Sequence, residues 1–247
     1  MLHHTLLPAT GRAGGGAAAT TGAPQAASRQ RQPLDLRLYL ITDTPLCGGP
    51  EAVVRTVAQA VAAGATLVQL RQPHGSDAEF VALGRAIRQV LAGTGVPLIV
   101  NDRVYLVDAI GADGAHIGQR DLSPVRARHI LGARRWLGLS VQTLAHLDAA
   151  RRLPAGTIDY LGVGPVWAQQ TKPDAAAAGG VALLAQIAHA SPWPCVAIGG
   201  IHGARVAEVR ASGAAGVSVV SAICGQSDVA AATRQLRATW DAAPAAA

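Results

Sequence analysis

Short apolar runs that end in polar residues alternate with helix-like segments through most of this chain, and this alternation restricts its fold more than any other feature. Eight such runs, rich in Val, Ile and Leu, begin with RLYLIT and end with GVSVVSAI. The segments between them, such as EAVVRTVAQAVAAG, place apolar residues at helical spacing. Parallel strands need crossover connections, which helices normally provide. Eight strands alternating with eight helices predict an α/β protein, a (β/α)₈ TIM barrel formed by a single domain of residues 34–242.

An open, doubly wound sheet is the structural alternative for a chain that alternates strands and helices. Such a sheet needs no eighth strand and carries a glycine fingerprint after its first strand, where this chain has TDTPLCGG. The barrel is therefore the favoured fold. From capping chemistry we expect helices to begin at Asp77 and Ser123 and to end at Gly93 and Gly132.

The first 33 residues form a compositionally separate segment. They are rich in Ala, Gly, Thr and Pro and show no apolar periodicity, so they cannot bury enough surface to order themselves. We predict a disordered extension over residues 1–33 and a flexible tail over residues 243–247. A targeting peptide is the weaker alternative for the extension, because it contains arginines and no acidic residue.

Charge, hydropathy and cysteine content exclude several functional classes. Half of the net charge of +6 comes from Arg12, Arg29 and Arg31, which leaves a mild excess on the domain and no basic run for a nucleic acid. The apolar residues are divided among short runs, so none is long enough to span a membrane. Three well separated cysteines without metal-ligand spacing are typical of a reducing cytoplasm, where we expect the protein to reside.

Polar residues stand where the strand-like runs end. In a parallel α/β fold those ends all point the same way, so residues spread along the chain converge on one mouth of the barrel. Active sites of TIM barrels lie at that end. The candidate residues are Gln69, Arg71, Asn101, Asp102, Asp121, Ser140, Thr171, Lys172, Gly200, Val220 and Ser221.

A set of motifs in these same runs resembles the thiamine phosphate synthase family between Leu36 and Trp240. The motifs are LYLITD, VQLR, VNDR, GAHIGQRDL, GLSV, DYLGVGPVW with TKPD, AIGGI and VVSAI. Each is weak alone, but their order and spacing are specific. The resemblance implies an enzyme that joins a pyrimidine methyl diphosphate to a thiazole phosphate, releases pyrophosphate and uses Mg²⁺.

Asp102 and Asp121 follow consecutive strands and match the family's magnesium aspartates. Magnesium prefers one or two carboxylates and fills its other positions with water and substrate phosphate oxygens. The structural alternatives are that Asp102 caps the helix after it and that Asp121 belongs to a polar turn. The pairing of two carboxylates at strand ends favours the metal site.

Arg71, Asn101 and Lys172 fit a clamp for the diphosphate. A guanidinium matches phosphate oxygens in a fork, and a lysine adds a compact charge. Arg71 and Lys172 would also help pyrophosphate leave, so they are catalytic candidates. The alternative for Arg71 is a surface ion pair, for which the end of the buried run VQL is a poor place. Lys172 lies in a Gly, Pro and Ala-rich loop, where lysines are usually just solvated.

The thiazole phosphate is expected at Gly199, Gly200, Val220 and Ser221, with Thr171 reaching in from the sixth loop. TIM barrels commonly bind phosphate on backbone N–H groups of the loops after strands seven and eight, where glycine permits close approach. Tight strand-to-helix turns are the alternative explanation for the two glycines.

Gln69 and Ser140 are left for the aminopyrimidine ring. An amide can donate and accept along the ring edge, and a serine hydroxyl can hydrogen-bond the ring or the leaving oxygen, which makes Ser140 a third catalytic candidate. The sequence offers Ser140 no obvious His and Asp partners, so covalent catalysis is disfavoured. For His116, a structural role near the barrel wall is favoured over acid–base chemistry.

Two positions depart from the family pattern. Pro73 stands where the family often has lysine, and Gln169 replaces a threonine of the sixth loop. They leave other functions open. A thiazole tautomerase shares the barrel but is expected to lack the metal aspartates and diphosphate donors, which this chain keeps. A non-catalytic binder of thiamine precursors is the second alternative, and a homo-oligomer is also left open.

Overall fold

The computed structural model describes residues 33–169, 171 and 177–246, and these form a closed barrel of parallel strands. Each strand pairs with the next, and the last pairs with the first, as Leu38 does with Val217. This closure confirms the predicted barrel and excludes the open doubly wound sheet. In chain order the strands are β1 Leu38–Ile41, β2 Leu67–Leu70, β3 Leu98–Asn101, β4 Gly114–Ile117, β5 Trp136–Val141, β6 Tyr160–Val163, β7 Cys195–Ile198 and β8 Gly216–Val219.

Helices alternate with these strands, and their apolar residues recur at helical spacing. In Pro50–Ala62, for example, Val53, Val57 and Ala60 are buried on one face. Short 3₁₀ turns at Val104–Leu106 and Gly203–Arg205 lead into two of the helices. The helices are α1 Thr44–Cys47, α2 Pro50–Ala62, α3 Asp77–Leu91, α4 Val107–Ile110, α5 Pro124–Leu131, α6 Leu144–Arg151, α7 Gly180–Ala190, α8 Val206–Ala211 and α9 Val229–Ala242.

The predicted helix ends are correct in part. Gly132 terminates α5 as expected, whereas the expected cap at Asp77 is wrong. Ser76 caps α3 instead, because its backbone is extended and its hydroxyl accepts from the N–H of Glu79 at 3.3 Å. Glu79 completes a capping box by accepting from the N–H of Ser76 at 2.7 Å.

One other predicted helix end is displaced, and one lies at the predicted residue without the expected side-chain bond. α3 ends with a cap at Ala92, one residue before the predicted Gly93. Ser123 occupies the cap position of α5, but its side chain makes no capping hydrogen bond. The short helix α1, in TDTPLCGG, was not predicted; the Asp43 carboxylate starts it by accepting from the N–H of Leu46 at 3.0 Å.

Alternation along each strand divides the apolar residues into two layers. One set, including Leu40, Val68 and Leu161, belongs to the large core that also contains the buried faces of the helices. The intervening residues point into the barrel, where a smaller apolar cluster fills the interior: Leu36, Tyr39, Leu67, Ile99, Tyr160 and Val196. The barrel centre is therefore packed with side chains, as in other TIM barrels.

Polar residues follow the apolar ones along the inward-facing positions, toward the carboxyl ends of the strands. The ladders place Asn101 beside His116 and Ser140 beside Gly162. This arrangement gives the mouth of the barrel its polar lining.

Parts of the chain lie outside this description. They include residues 1–32, so the predicted disorder of the extension stays a prediction. Residues 243–246 of the tail are described, and its predicted flexibility stays a prediction as well. Within the described residues, every helix is too short or too polar to cross a membrane.

Candidate active site

Arg71 lies just beyond β2, where it is joined to the end of β1. Its backbone N–H donates to the hydroxyl of Thr42 at 3.0 Å, and its guanidinium Nη1 lies 3.6 Å from Asp43 Oδ2. The side chains of Arg71 and Asp43 are only 15% and 11% exposed. Arg71 therefore forms an ion pair inside the mouth, which differs from the surface ion pair considered as the alternative.

Asp102 follows β3 in a left-handed backbone conformation, with φ of 60°. Its N–H donates to the carbonyl of His116 at 2.9 Å, which places it beside the end of β4. The 3₁₀ turn after it begins from Arg103 without a side-chain cap, so the alternative reading of Asp102 as a helix cap is wrong. Its exposed carboxylate is held at the rim by an unusual backbone geometry.

Asp121 lies in the loop after β4, and one of its carboxylate oxygens has a structural role. Oδ2 accepts from the N–H of Gly118 at 2.6 Å, which confirms the polar turn proposed as the alternative. Oδ1 has no hydrogen-bond partner in the described part of the chain. The turn therefore fixes the carboxylate and leaves its second oxygen available to a ligand.

Gln69 and Ser140 both face the barrel interior. The Gln69 amide nitrogen donates to the Tyr39 hydroxyl at 2.7 Å, and Ser140 Oγ lies 2.9 Å from His116 Nε2. The sequence therefore failed to reveal that Ser140 has a histidine partner. A Ser-His-Asp arrangement is still absent here, because the other ring nitrogen of His116 meets the Tyr160 hydroxyl at 3.2 Å.

The glycines after β7 occupy left-handed conformations, with φ of 100° for Gly199 and 65° for Gly200. A Cβ atom on Gly200 would approach the Trp167 side chain to 2.8 Å, so a tight turn does require glycine here. Arg205 packs on the Trp167 ring at 4.6 Å and donates to the carbonyl of Gly200. This cation was not recognised in the sequence.

A helical turn follows β8, in which the carbonyl of Val220 accepts from the N–H groups of Ile223 and Cys224 at 3.0 and 2.8 Å. The N–H groups of Gly200 and Ser221 donate to no other described residue. Unpaired N–H groups after strands seven and eight are the elements of a phosphate cradle. Gly200 can therefore form the tight turn and still offer its N–H group, as Ser221 does, for the predicted binding of phosphate.

The sixth loop is only partly described. The Thr171 hydroxyl donates to the side-chain oxygen of Gln169 at 2.9 Å, which ties the predicted phosphate ligand to the residue that departs from the family pattern. Lys172 lies outside the described residues, so its predicted role stays a prediction.

Arg103, in the VNDR motif, is another residue whose role the sequence did not reveal. Its guanidinium donates to Asp77 Oδ1 and to the carbonyl of Gly75, both at 3.0 Å, and packs 4.7 Å from the Phe80 ring centre. These contacts brace the loop after β2 that contains the exposed Pro73. The sequence offered one signal for the roles of these residues. Asp43 is the charged last residue of the motif LYLITD, and Arg103 is the charged last residue of VNDR.

A cleft of about 150 Å³ lies beside Asp121, between the start of α5 and α6. Its lining includes Leu139 and Leu153, which belong to or pack on the core between strands and helices. The cleft is therefore outside the barrel, and its edge toward the mouth includes Asp121 and Gln119, whose amide donates to the carbonyl of Ser140 at 2.6 Å.

All of the strand-end residues described above fall within one matching region. The model of the thiamine monophosphate synthase family matches residues 38–223. The chain belongs to the thiamine monophosphate synthase family. This membership confirms the resemblance seen in the motifs.

Individual relatives agree with this family over most of their length. A thiamine-phosphate synthase of Psychrobacter sp. (strain PRwf-1) is 45% identical over 78% of this chain and 90% of its own. That of Xanthobacter autotrophicus is 46% identical over 84% of this chain and 96% of its own. The solved thiamine phosphate pyrophosphorylase of Pyrococcus furiosus superposes with a TM-score of 0.75 at 33% identity, covering 84% of this chain and 96% of that one.

Proposed function

We propose that this chain is a thiamine-phosphate synthase that joins 4-amino-2-methyl-5-(diphosphooxymethyl)pyrimidine to a thiazole phosphate, giving thiamine phosphate and pyrophosphate. The observation that carries the proposal is the assembly of Arg71, Asp102, Asp121 and the unpaired N–H groups of Gly200 and Ser221 at one end of the barrel. It lies in a chain whose curated relatives are named for this activity.

Arg71 is the proposed anchor of the diphosphate, together with Asn101 and Lys172. The side chain of Arg71 is nearly buried at the end of β2 and held by Asp43 at 3.6 Å. A guanidinium fixed in this way can present its other N–H groups to phosphate oxygens without first losing side-chain freedom. Asp43 is therefore part of the binding site through Arg71.

Asp102 and Asp121 are the proposed ligands of Mg²⁺. Within the described residues, no group of three carboxylate, imidazole or thiol side chains could hold a metal ion. Two carboxylates fit magnesium, which commonly completes its coordination with water and phosphate oxygens. When bound, the ion would neutralise charge on the diphosphate and on the departing pyrophosphate.

The proposed reaction begins when the bond between the pyrimidine methylene carbon and the diphosphate oxygen breaks. Both bonding electrons leave with pyrophosphate, which Arg71 and Lys172 stabilise, and the electron-rich aminopyrimidine carries the positive charge. The thiazole nitrogen then donates its lone pair to the methylene carbon. No base is required, so positioning and electrostatic stabilisation supply the acceleration.

The thiazole phosphate is proposed to bind the N–H groups of Gly200 and Ser221, with Val220 and Thr171 beside them. Arg205, next to Gly200, adds a positive field to this side of the mouth. Gln69 and Ser140 are proposed to contact the aminopyrimidine. Because the two phosphate sites lie on different strand ends, both substrates can be held at once.

The direct test combines purified protein, both phosphorylated precursors and Mg²⁺, and measures thiamine phosphate and pyrophosphate. We expect equal amounts of both products. Reactions without the thiazole phosphate, and with the variant Arg71→Gln, serve as controls and should release little pyrophosphate. Binding of both precursors without product would favour the non-catalytic binder, and isomerisation of the thiazole alone would favour the tautomerase. We also propose a cytoplasmic location, consistent with three free cysteines, and leave assembly into a homo-oligomer to sedimentation measurements.

A further inference from the structure

A continuous chain of hydrogen bonds crosses the barrel interior and connects the two residues assigned to the aminopyrimidine. Gln69 Nε2 donates to Tyr39 Oη at 2.7 Å, and Tyr39 Oη lies 3.0 Å from Tyr160 Oη. Tyr160 Oη lies 3.2 Å from His116 Nδ1, and His116 Nε2 lies 2.9 Å from Ser140 Oγ. The chain thus joins β2 to β5 through side chains of β1, β6 and β4.

The first donor favours one order of donors and acceptors among the bonds that follow. The Gln69 amide nitrogen can only donate, so Tyr39 accepts from it and sends its single hydroxyl hydrogen to Tyr160, which is its other described partner. Tyr160 then has an occupied acceptor and one hydrogen, which it donates to His116 Nδ1.

This order favours the His116 tautomer that accepts at Nδ1 and carries its hydrogen on Nε2. That N–H donates to Ser140 Oγ, so the Ser140 hydroxyl hydrogen is directed away from His116. Ser140 is only partly buried, at the carboxyl half of β5. Its free hydrogen can therefore reach an acceptor on a molecule bound in the mouth.

Burial keeps the two phenols in their neutral form. Tyr39 and Tyr160 are 1% and 0% exposed, and this desolvation raises the pKa of both hydroxyls above the usual value for tyrosine. Neither phenol loses its hydrogen at neutral pH, so the order of donors and acceptors is preserved.

Two glycines provide the space in which the chain forms. A Cβ atom on Gly138 would collide with the Tyr160 phenol and His116 Nδ1, and one on Gly162 would lie 2.9 Å from His116 Cε1. Both glycines are inside strands, where glycine is usually unfavourable. Their presence is explained by the close approach of the imidazole and the phenol.

We propose that Tyr39, Tyr160 and His116 are positioning residues that make Ser140 a dedicated hydrogen-bond donor to an acceptor atom of the pyrimidine diphosphate. The inference rests on the proposed function for the identity of that substrate. In a purely structural role, the same residues would stabilise the barrel without determining which way the Ser140 hydrogen points.

The deciding variant is Tyr160→Phe, which keeps the ring and removes the donor to His116 Nδ1. We expect kcat to fall about tenfold, the effect of weakening one hydrogen bond to a charged group, with a smaller change in KM. Tyr39→Phe should have a weaker effect, because Tyr160 can still donate to His116. The matched control is Ser218→Ala, which removes another buried interior hydroxyl that has no hydrogen-bond partner among the described residues.

The second measurement is the ¹⁵N NMR spectrum of the His116 ring, which needs no turnover. We expect protonated Nε2 and unprotonated Nδ1 in the wild-type chain, and a mixture of tautomers in Tyr160→Phe. Protonated Nδ1 in the wild type, or an unchanged kcat in a folded Tyr160→Phe variant, would overturn the proposal. Should Tyr160→Phe fail to fold, Tyr39→Phe and the wild-type spectrum still decide it.

The two proposals fail in different ways. If the wild type forms no thiamine phosphate, the proposed function is wrong. The effect of Tyr160→Phe is then measured as binding of the pyrimidine diphosphate, which should weaken if Ser140 donates to it and stay unchanged if it does not.

Discussion

Asp43 divides its two carboxylate oxygens between a helix and an arginine: Oδ1 accepts from the N–H of Leu46 at 3.0 Å, and Oδ2 lies 3.6 Å from Arg71 Nη1. One residue at the end of β1 therefore starts α1 and orients the proposed diphosphate anchor at the end of β2. The two roles can be separated by mutation, because only the second requires a negative charge.

Asp43→Asn should keep the helix cap and lose the ion pair, whereas Asp43→Ala should lose both. We expect the free energy of unfolding to be about 1 kcal/mol lower for Asp43→Ala than for Asp43→Asn, which is the usual contribution of a cap. By contrast, kcat/KM for the pyrimidine diphosphate should fall by similar factors in the two variants. Denaturant unfolding and steady-state kinetics measure the two effects. Equal stabilities would contradict the capping role.

Asp102→Asn and Asp121→Asn should each abolish turnover at ordinary Mg²⁺ concentrations while the barrel stays folded. Asparagine is the suitable replacement at Asp102, because it tolerates the left-handed conformation with φ of 60°. The measurement is initial rate against Mg²⁺ concentration. The matched control is Asp108→Asn. Asp108 is an exposed carboxylate of α4 that pairs with Arg135, and its replacement should leave the dependence of rate on Mg²⁺ unchanged. Rates like those of the wild type in either variant would remove the metal assignment.

Ser218→Ala should stabilise the protein or leave its stability unchanged. The hydroxyl is 2% exposed inside the barrel and meets no hydrogen-bond partner in the described part of the chain, so it is desolvated without compensation. Removing such a group should raise the free energy of unfolding by about 1 kcal/mol. Thermal unfolding tests this, and a lower Tm would indicate that the hydroxyl binds a buried water.

Cys47 should be the first cysteine to react with iodoacetamide. Its contact with the Cys224 thiol lowers the pKa of Cys47, and that same contact, together with burial, raises the pKa of Cys224. Burial also raises the pKa of Cys195. A lowered pKa means that the reactive thiolate is present at lower pH, so labelling of Cys47 should begin below the pH range of an ordinary thiol.

Peptide mass spectrometry after labelling at a series of pH values measures that order. Cys224→Ala removes the neighbouring thiol and should move the labelling curve of Cys47 to higher pH, while Cys224→Ser keeps a polar hydrogen there and should move it less. Equal labelling of Cys47 and Cys195 at neutral pH would contradict the expectation.

The fold could be predicted because its signal is repeated along the chain. Each strand is a short apolar run with alternating faces, and each long helix, such as α2 or α3, has several turns of periodic apolar residues. A helix of four residues such as α1 has too few turns to show periodicity, and Asp43 and Pro45 become signals only when the turn is seen. The choice between Ser76 and Asp77 as a cap similarly depends on backbone angles that composition does not determine.

The site could be predicted as a set of strand ends but not as a set of contacts. The partners Arg71 and Asp43 are brought together by the pairing of β1 with β2, and Tyr39 and Tyr160 by closure of the barrel across 121 positions. Such contacts have no local pattern, so the sequence could not show that Ser140 meets His116. For the same reason it assigned no role to the interior tyrosines.

The apolar filling of the barrel centre by Leu36, Leu67 and Ile99, next to Tyr39 and Tyr160, leaves no passage through the barrel toward its other end. In the proposed reaction, both substrates and both products must consequently use the same opening. Pyrophosphate that lingers beside Arg71 would exclude the next pyrimidine diphosphate, and thiamine phosphate would exclude both precursors. The order in which the products leave, rather than the bond-forming step alone, would then govern how the rate declines as products accumulate. Hydrolysis of pyrophosphate elsewhere would relieve this inhibition.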